Sequence, residues 1–238
     1  MSNGQSLLDT LVDAFASPHP DGYKFIGMAG AAAVVALLIG WGFLGLLGLS
    51  ATAFVSYVFR DPDRVTPLRE GLVLAAADGT VIAVETVTPP AELGFGTEQR
   101  TRVSTYLSLL DVHVNRAPVA GRVKRSVYVP GAFVDPMSEK AAEENERRAI
   151  VVEMANGGDV AVVQIAGGSG RRITTFVSEG ENVGVGQRFG LIRFSARVDL
   201  YLPPGKAAQV AVGQRMIAGE TVVSDLRSVE GQREARRI

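Results

Sequence analysis

A chain of 238 residues with 24 Lys plus Arg, 25 Asp plus Glu and a net charge of −1 is too evenly balanced to hold nucleic acid by bulk electrostatics. It has no cysteine, which excludes disulfides, Cys-ligated zinc, iron–sulfur clusters and a cysteine nucleophile. Two histidines, His19 and His113, leave little for a metal site, and a mean hydropathy of +0.18 is high for a soluble domain.

Residues 1–24 form a first segment. Asp9, Asp13 and Asp21 precede its only basic residue, Lys24, so it lacks the basic start of a cleaved signal peptide. A short amphipathic helix on the membrane surface is expected around Leu7–Phe15. Residues 25–59 then hold no charge at all, a run of 35 positions between Lys24 and Arg60. More than about 18 such residues reads as membrane-embedded. As one helix the run would be about 50 Å long, against a hydrocarbon core of about 30 Å. The Gly40-Trp41-Gly42 break points to a hairpin of two short helices; one tilted span is the alternative. Arg60, Arg64 and Arg69 follow it, which places the next domain on the cytoplasmic side.

Residues 60–226 have a different texture. Val-rich runs alternate with Gly, Pro and Asp turns, predicting strands at Val73-Leu74, Val81–Val87, Gly121–Val129, Ala149–Met154, Val160–Ile165, Ile173–Val177, Phe189–Phe194, Arg197–Leu202 and Val222-Val223. The fold class is mainly β (α+β), a barrel or sandwich. Ser138–Arg148 breaks the pattern as a charged short helix or ordered polar loop. A short repeat, Val183-Gly-Val-Gly-Gln-Arg188 and Val210-Ala-Val-Gly-Gln-Arg215, marks glycine turns like those of biotinyl-lipoyl hybrid barrels. The carrier function of those barrels is not expected, because Lys24, Lys124, Lys140 and Lys206 all lack a Met-Lys-Met setting. Residues 227–238 make a basic tail.

Standard catalytic signatures are absent: there is no Gly-x-Ser-x-Gly elbow, phosphate-cradling loop, dinucleotide fingerprint or His-Glu-x-x-His. Five ordered segments remain. They are Tyr57-Val-Phe-Arg-Asp-Pro-Asp-Arg64; Ala77-Asp78-Gly79; Ser108-Leu-Leu-Asp-Val-His113-Val-Asn-Arg-Ala-Pro118; Glu139-Lys140 with Glu144-Asn145-Glu146-Arg147; and Gly186-Gln-Arg-Phe-Gly-Leu-Ile-Arg193-Phe194 leading to Arg197-Val-Asp199-Leu-Tyr-Leu-Pro203. Together they resemble the short, membrane-associated form of phosphatidylserine decarboxylase.

That resemblance implies a proenzyme that cuts itself between Gly and Ser in an Arg-Phe-Gly-Ser-Arg segment. The Ser becomes a self-derived pyruvoyl group, a ketone that takes the substrate's amine and accepts the electron pair freed as CO₂ leaves. Neither a metal nor pyridoxal phosphate is then expected. The implied partners are a phospholipid substrate, the lipid bilayer and a second copy in a homodimer, with no nucleic acid.

This chain departs from the pattern at the cut. It reads Arg193-Phe194-Ser195-Ala196-Arg197, so Ser195 stands at the family's Gly and Ala196 at its pyruvoyl-forming Ser. Alanine has no hydroxyl to attack or eliminate, so the chain is expected to stay uncut, inactive and without the pyruvoyl group. Ser195 acting instead would cut after Phe194, beside a bulky side chain and in a shifted register. The resemblance makes His113 an acid–base residue near the pyruvoyl and Asp78 a partner in self-cleavage. A second family His falls on Arg116. Lys140, Asn145, Arg147, Arg193 and Arg197 are its candidates for binding substrate. The alternatives are the same chemistry on an ether-linked, archaetidylserine-type lipid, or a non-catalytic membrane-tethered barrel module.

Overall fold

The computed structural model describes residues 17–138, 140–167, 173–233 and 235. The expected helix around Leu7–Phe15 lies outside the described residues, as does Glu139. The chain divides into two compact units, one ending at Asp63 and the other beginning at Arg64.

The first unit is a helical hairpin. Helix α1 (Tyr23–Leu38) is rich in Ala and Val, and helix α2 (Gly42–Val58) in Leu and Gly. Gly40 turns the chain between them with φ +83°. Small residues let the two backbones approach: a Cβ added at Gly48 would lie 2.8 Å from the Ala33 Cβ. Small-residue contacts of this kind pack helices where lipid removes any hydrophobic drive. The outward side chains are apolar too, with Leu38 81% and Phe43 79% exposed. The helix with its first turn, Pro20–Leu38, is long and apolar enough to cross a membrane; α2 is shorter.

The second unit is mainly β. Its strands are β1 (Leu72–Leu74), β2 (Gly79–Val87), β3 (Arg100–Leu107), β4 (Val114–Arg116), β5 (Gly121–Val129), β6 (Arg147–Glu153), β7 (Asp159–Ala166), β8 (Ile173–Thr175), β9 (Asn182–Val183), β10 (Arg188–Ile192), β11 (Ala196–Tyr201), β12 (Arg215–Met216) and β13 (Val222–Asp225). Eight of them form one curled antiparallel sheet in the order β12-β2-β3-β11-β7-β6-β5-β9, a half-barrel whose end strands do not pair with each other. A three-stranded sheet, β4-β10-β8, and the β1-β13 pair complete the unit.

Both faces of the central strands are covered, which is why residues 149–152 of β6 and 160–163 of β7 read as short apolar runs. On one face Val81, Val103, Leu107, Ile150, Val162, Val198 and Leu200 form the main core. On the other, Ala149, Val151, Val163, Ile165 and Tyr201 pack beneath Leu93 and Ala141. Ala141 opens the four-residue helix α3 (Ala141–Glu144), inside the charged segment Ser138–Arg148. Strand β3 carries no Val-rich run and is not anticipated from sequence. Its inward residues Val103, Thr105 and Leu107 alternate with Arg102, Ser104 and Tyr106, whose polar groups find partners on the second face.

Candidate active site

The junction between the two larger sheets lies at residues 193–195, where β10 of the small sheet runs into β11 of the large one. The turn is strained. Among the described residues, Phe194 (φ 56°) and Ser195 (φ 26°) alone combine a side chain with a positive φ. For residues other than Gly this costs about 1–3 kcal/mol each and persists only where the surroundings impose it. The turn delivers Ala196, fully buried, to the head of β11. There it pairs with Leu107 of β3 on one side and Ala166 of β7 on the other. The Ser195 hydroxyl lies 3.3 Å from that of Tyr106.

His113 is tied to the chain that leads into this turn. It directly precedes β4, and its carbonyl accepts from the Ile192 N–H at 3.1 Å, two residues before Phe194. Its side chain is 2% exposed. Asp78 arrives from the large sheet. Gly79, beside it, packs so tightly on β3 that an added Cβ would be 2.2 Å from the Tyr106 carbonyl oxygen. That close approach fixes Asp78 at the end of β2, where the row Thr80–Tyr106–Arg197 begins.

Asp78 accepts from Arg64 at 2.9 Å and from the Ala218 N–H at 2.8 Å. Burial raises its carboxyl above the ordinary value; Arg64 and the Ala218 N–H pull the other way, and the nearby Asp111 charge adds to the rise. Asp111 is the reverse case. Burial pushes it up, but the Ser108 hydroxyl and N–H and Arg215 outweigh this and hold it below the carboxylate range. Arg116 is 6% exposed and donates to the Gly186 carbonyl at 3.1 Å.

The remaining sequence candidates are spread around this point. Asn145 is fully buried, bonding the backbone of Val134 and the Ala166 carbonyl. Arg147 is held by Glu92 and the Glu143 carbonyl. Lys140 is exposed at the start of α3. Arg193 is half-buried, with a 3.4 Å bond to Thr174. Arg197 points to the opposite face from Ala196, where its fork grips Asp199 (2.7 and 3.0 Å) and Ser104 (3.0 Å). A cleft of about 710 Å³ lies on that face, lined by Arg197, Arg102, Tyr201, Met137 and Glu143; its lining includes neither His113 nor Asp78.

Arg197→Met leaves Asp199, which has no solvent exposure, without its cation. Breaking such a buried pair costs about 3–5 kcal/mol. The expected result is a large drop in the urea midpoint, whereas Arg193→Met should change stability by less than about 0.5 kcal/mol.

Two residues of the site were not singled out from sequence. Arg64 is the partner of Asp78. Glu146 is 1% exposed, and neither carboxyl oxygen has a hydrogen-bond partner among the described residues. The Ala166 N–H donates to the Glu146 carbonyl, so Glu146 continues the row Leu107–Ala196–Ala166 on the face of Ala196. Its sequence signal was membership of the Glu144-Asn145-Glu146-Arg147 segment, just before strand β6.

Comparison with known proteins shows the family of the chain. A profile of the family described as phosphatidylserine decarboxylase matches residues 51–224. A phosphatidylserine decarboxylase proenzyme of Ruegeria pomeroyi is 50% identical over 215 residues, covering 90% of this chain and 98% of that protein. Proteins of the same name from Nitrobacter winogradskyi and Cereibacter sphaeroides are 48% and 46% identical, over 90% and 94% of this chain and 86% and 96% of their own lengths. The segments that meet at residue 196 all lie within the matched range, and the chain belongs to the phosphatidylserine decarboxylase family.

Proposed function

We propose that this chain is the precursor of a membrane-bound phosphatidylserine decarboxylase, and that Ala196 holds it uncut and inactive. The restored activity would convert phosphatidylserine to phosphatidylethanolamine and CO₂. The observation that carries the reading is the strained Phe194–Ser195 turn, which leads residue 196 in between Leu107 and Ala166, on a chain that is bonded through Ile192 to the His113 carbonyl.

In the family the pyruvoyl ketone at this position draws electrons from the substrate as CO₂ leaves. Ala196 carries a methyl group where a hydroxyl must form the ester and then leave by β-elimination, before water supplies the ketone oxygen and ammonia departs, so residue 196 does not fit the group. Beyond residues 195 and 196, the site does not need to change. His113, enclosed next to the turn, is placed to hold or donate a proton at an imidazole nitrogen. Asp78, with its raised carboxyl anchored by Arg64 and Ala218, is placed to act during maturation. Arg193 keeps guanidinium donors for a phosphodiester or carboxylate, and Lys140 offers a second cation. Asn145, Arg147 and Arg197 act through the backbone and charge contacts that hold the surrounding segments. No metal and no pyridoxal phosphate enters this reading.

The uncharged helical hairpin serves as the membrane anchor, because a diacyl substrate stays in the bilayer and the site must be brought to it. The arginines after residue 59 favour the cytoplasmic side. The glycine turns favour a kinship with biotinyl-lipoyl hybrid barrels.

The test is the chain carrying Ser195→Gly and Ala196→Ser, expressed in membranes and given phosphatidylserine labelled at the serine carboxyl. Labelled CO₂ and phosphatidylethanolamine are expected from it and not from the unchanged chain. A processed double variant that releases no CO₂ from the ester lipid overturns the reading; release only from an ether-linked serine lipid moves it to that substrate.

A further inference from the structure

We propose that the Ser108–Asp111 turn is a membrane-inserting lip beside the residue-196 site, with Leu109 and Leu110 entering the headgroup–acyl boundary of the bilayer. This rests on the reading of the protein as a membrane-bound enzyme acting on a lipid.

The turn has unusual chemistry for one in water. Its ends are locked: the Asp111 carboxylate accepts from the Ser108 N–H at 2.8 Å and the Ser108 hydroxyl at 2.7 Å, and the Asp111 N–H donates to the Ser108 carbonyl at 3.1 Å. The two corner positions, where Gly, Pro, Asn, Asp or Ser normally sit, are both leucine. Leu109 is 40% exposed and Leu110 54%. Arg215 donates to the other Asp111 oxygen, which ties β12 to the turn. Ile217, two residues further on, is also exposed (42%). The Arg215 side chain is itself 65% exposed and has guanidinium donors left over for anionic headgroups.

The position of the lip selects its occupant. Leu107, the strand partner of Ala196, is two residues before Leu109, and His113 is three after Leu110. At about 3.3 Å per extended residue, a headgroup layer meeting the turn lies within roughly 10 Å of the reacting row. A diacyl lipid that never leaves the bilayer requires such an approach. Two leucines and an arginine are too small a patch for a stable protein interface, which buries about 1,200–2,000 Å² in total. They suit shallow insertion into a bilayer.

Trp41, the single tryptophan, makes the test direct. The full chain is reconstituted into phosphatidylcholine vesicles containing phosphatidylserine, with bromine on the acyl chains just below the headgroups to quench nearby tryptophan. In a Trp41→Phe background, Leu109→Trp is compared with Phe133→Trp, a position of matched exposure (39%) on the loop before α3. Leu110→Trp repeats the measurement should Leu109→Trp not fold. Leu109→Trp is expected to lose most of its emission and Phe133→Trp little. Equal emission from the two, with Trp41 quenched in the parent chain, overturns the lip alone. An unquenched Trp41 in the parent chain overturns the membrane reading, and the lip with it.

Discussion

Carrying Ser195→Gly and Ala196→Ser, the chain should part into fragments of 195 and 43 residues, while the unchanged chain stays whole under the same conditions. The change supplies the two things the junction lacks. One is a hydroxyl on residue 196, the only side-chain oxygen that can reach the carbonyl preceding it in the family's register. The other is a residue at 195 that tolerates φ 26° without a Cβ beside the attacked carbonyl. The rest of the trap is already set, since Phe194 is held at φ 56° and residue 196 is clamped between Leu107 and Ala166. Ser195→Gly alone should leave the chain intact and stabilise it by about 1 kcal/mol, read as a higher urea midpoint, because the strain disappears without any new chemistry. Ala196→Ser alone should cut more slowly than the double variant. Gel mobility and the mass of each fragment decide the matter. A double variant that stays intact over days would refute the assignment of residue 196. An unchanged chain cut after Phe194 would move the nucleophile to Ser195.

His113→Ala, built into the double variant, should lower decarboxylation by about 10²–10⁴-fold, the usual worth of a positioned acid or base. Self-cleavage should persist, and the fragments should still form. The expectation rests on placement: His113 is 2% exposed and is held through its backbone to Ile192, on the strand that leads into the turn. Single-turnover release of labelled CO₂, set against the extent of cleavage in the same sample, separates the two roles. Uncut protein would assign His113 to maturation instead. Cleaved protein with undiminished turnover would remove it from the chemistry altogether.

The strands legible in the sequence are those with both faces buried or a clear Val alternation, such as Val160–Ile165 and Gly121–Val129. Burial on both faces writes itself as hydrophobicity in any such segment. Strand β3 was not legible. Its polar residues satisfy groups on a second, covered face, and that face exists only once Leu93 and Ala141 have packed over it. The charged segment Ser138–Arg148 illustrates the same limit: after the four-residue helix α3, strand β6 begins at Arg147, where two arginines conceal a strand start.

The candidate site divides along similar lines. Composition alone established that the chemistry must do without cysteine and almost without histidine. The local text Arg-Phe-Ser-Ala-Arg is enough to propose a missing hydroxyl at residue 196, because an absent oxygen is a property of one residue. The 35-residue uncharged run needed no folding to be recognised, since the absence of charge is read residue by residue. What only the tertiary structure decided is partnership. Arg197 and Asp199 are two apart in sequence, but whether their charges face solvent or each other depends on the covering layer. Asp78 is set by Arg64 and by a backbone N–H 140 residues away, at Ala218. Glu146 joins residue 196 only through strand register. Such pairings are long-range choices made by β topology, and no local pattern of residue types encodes them.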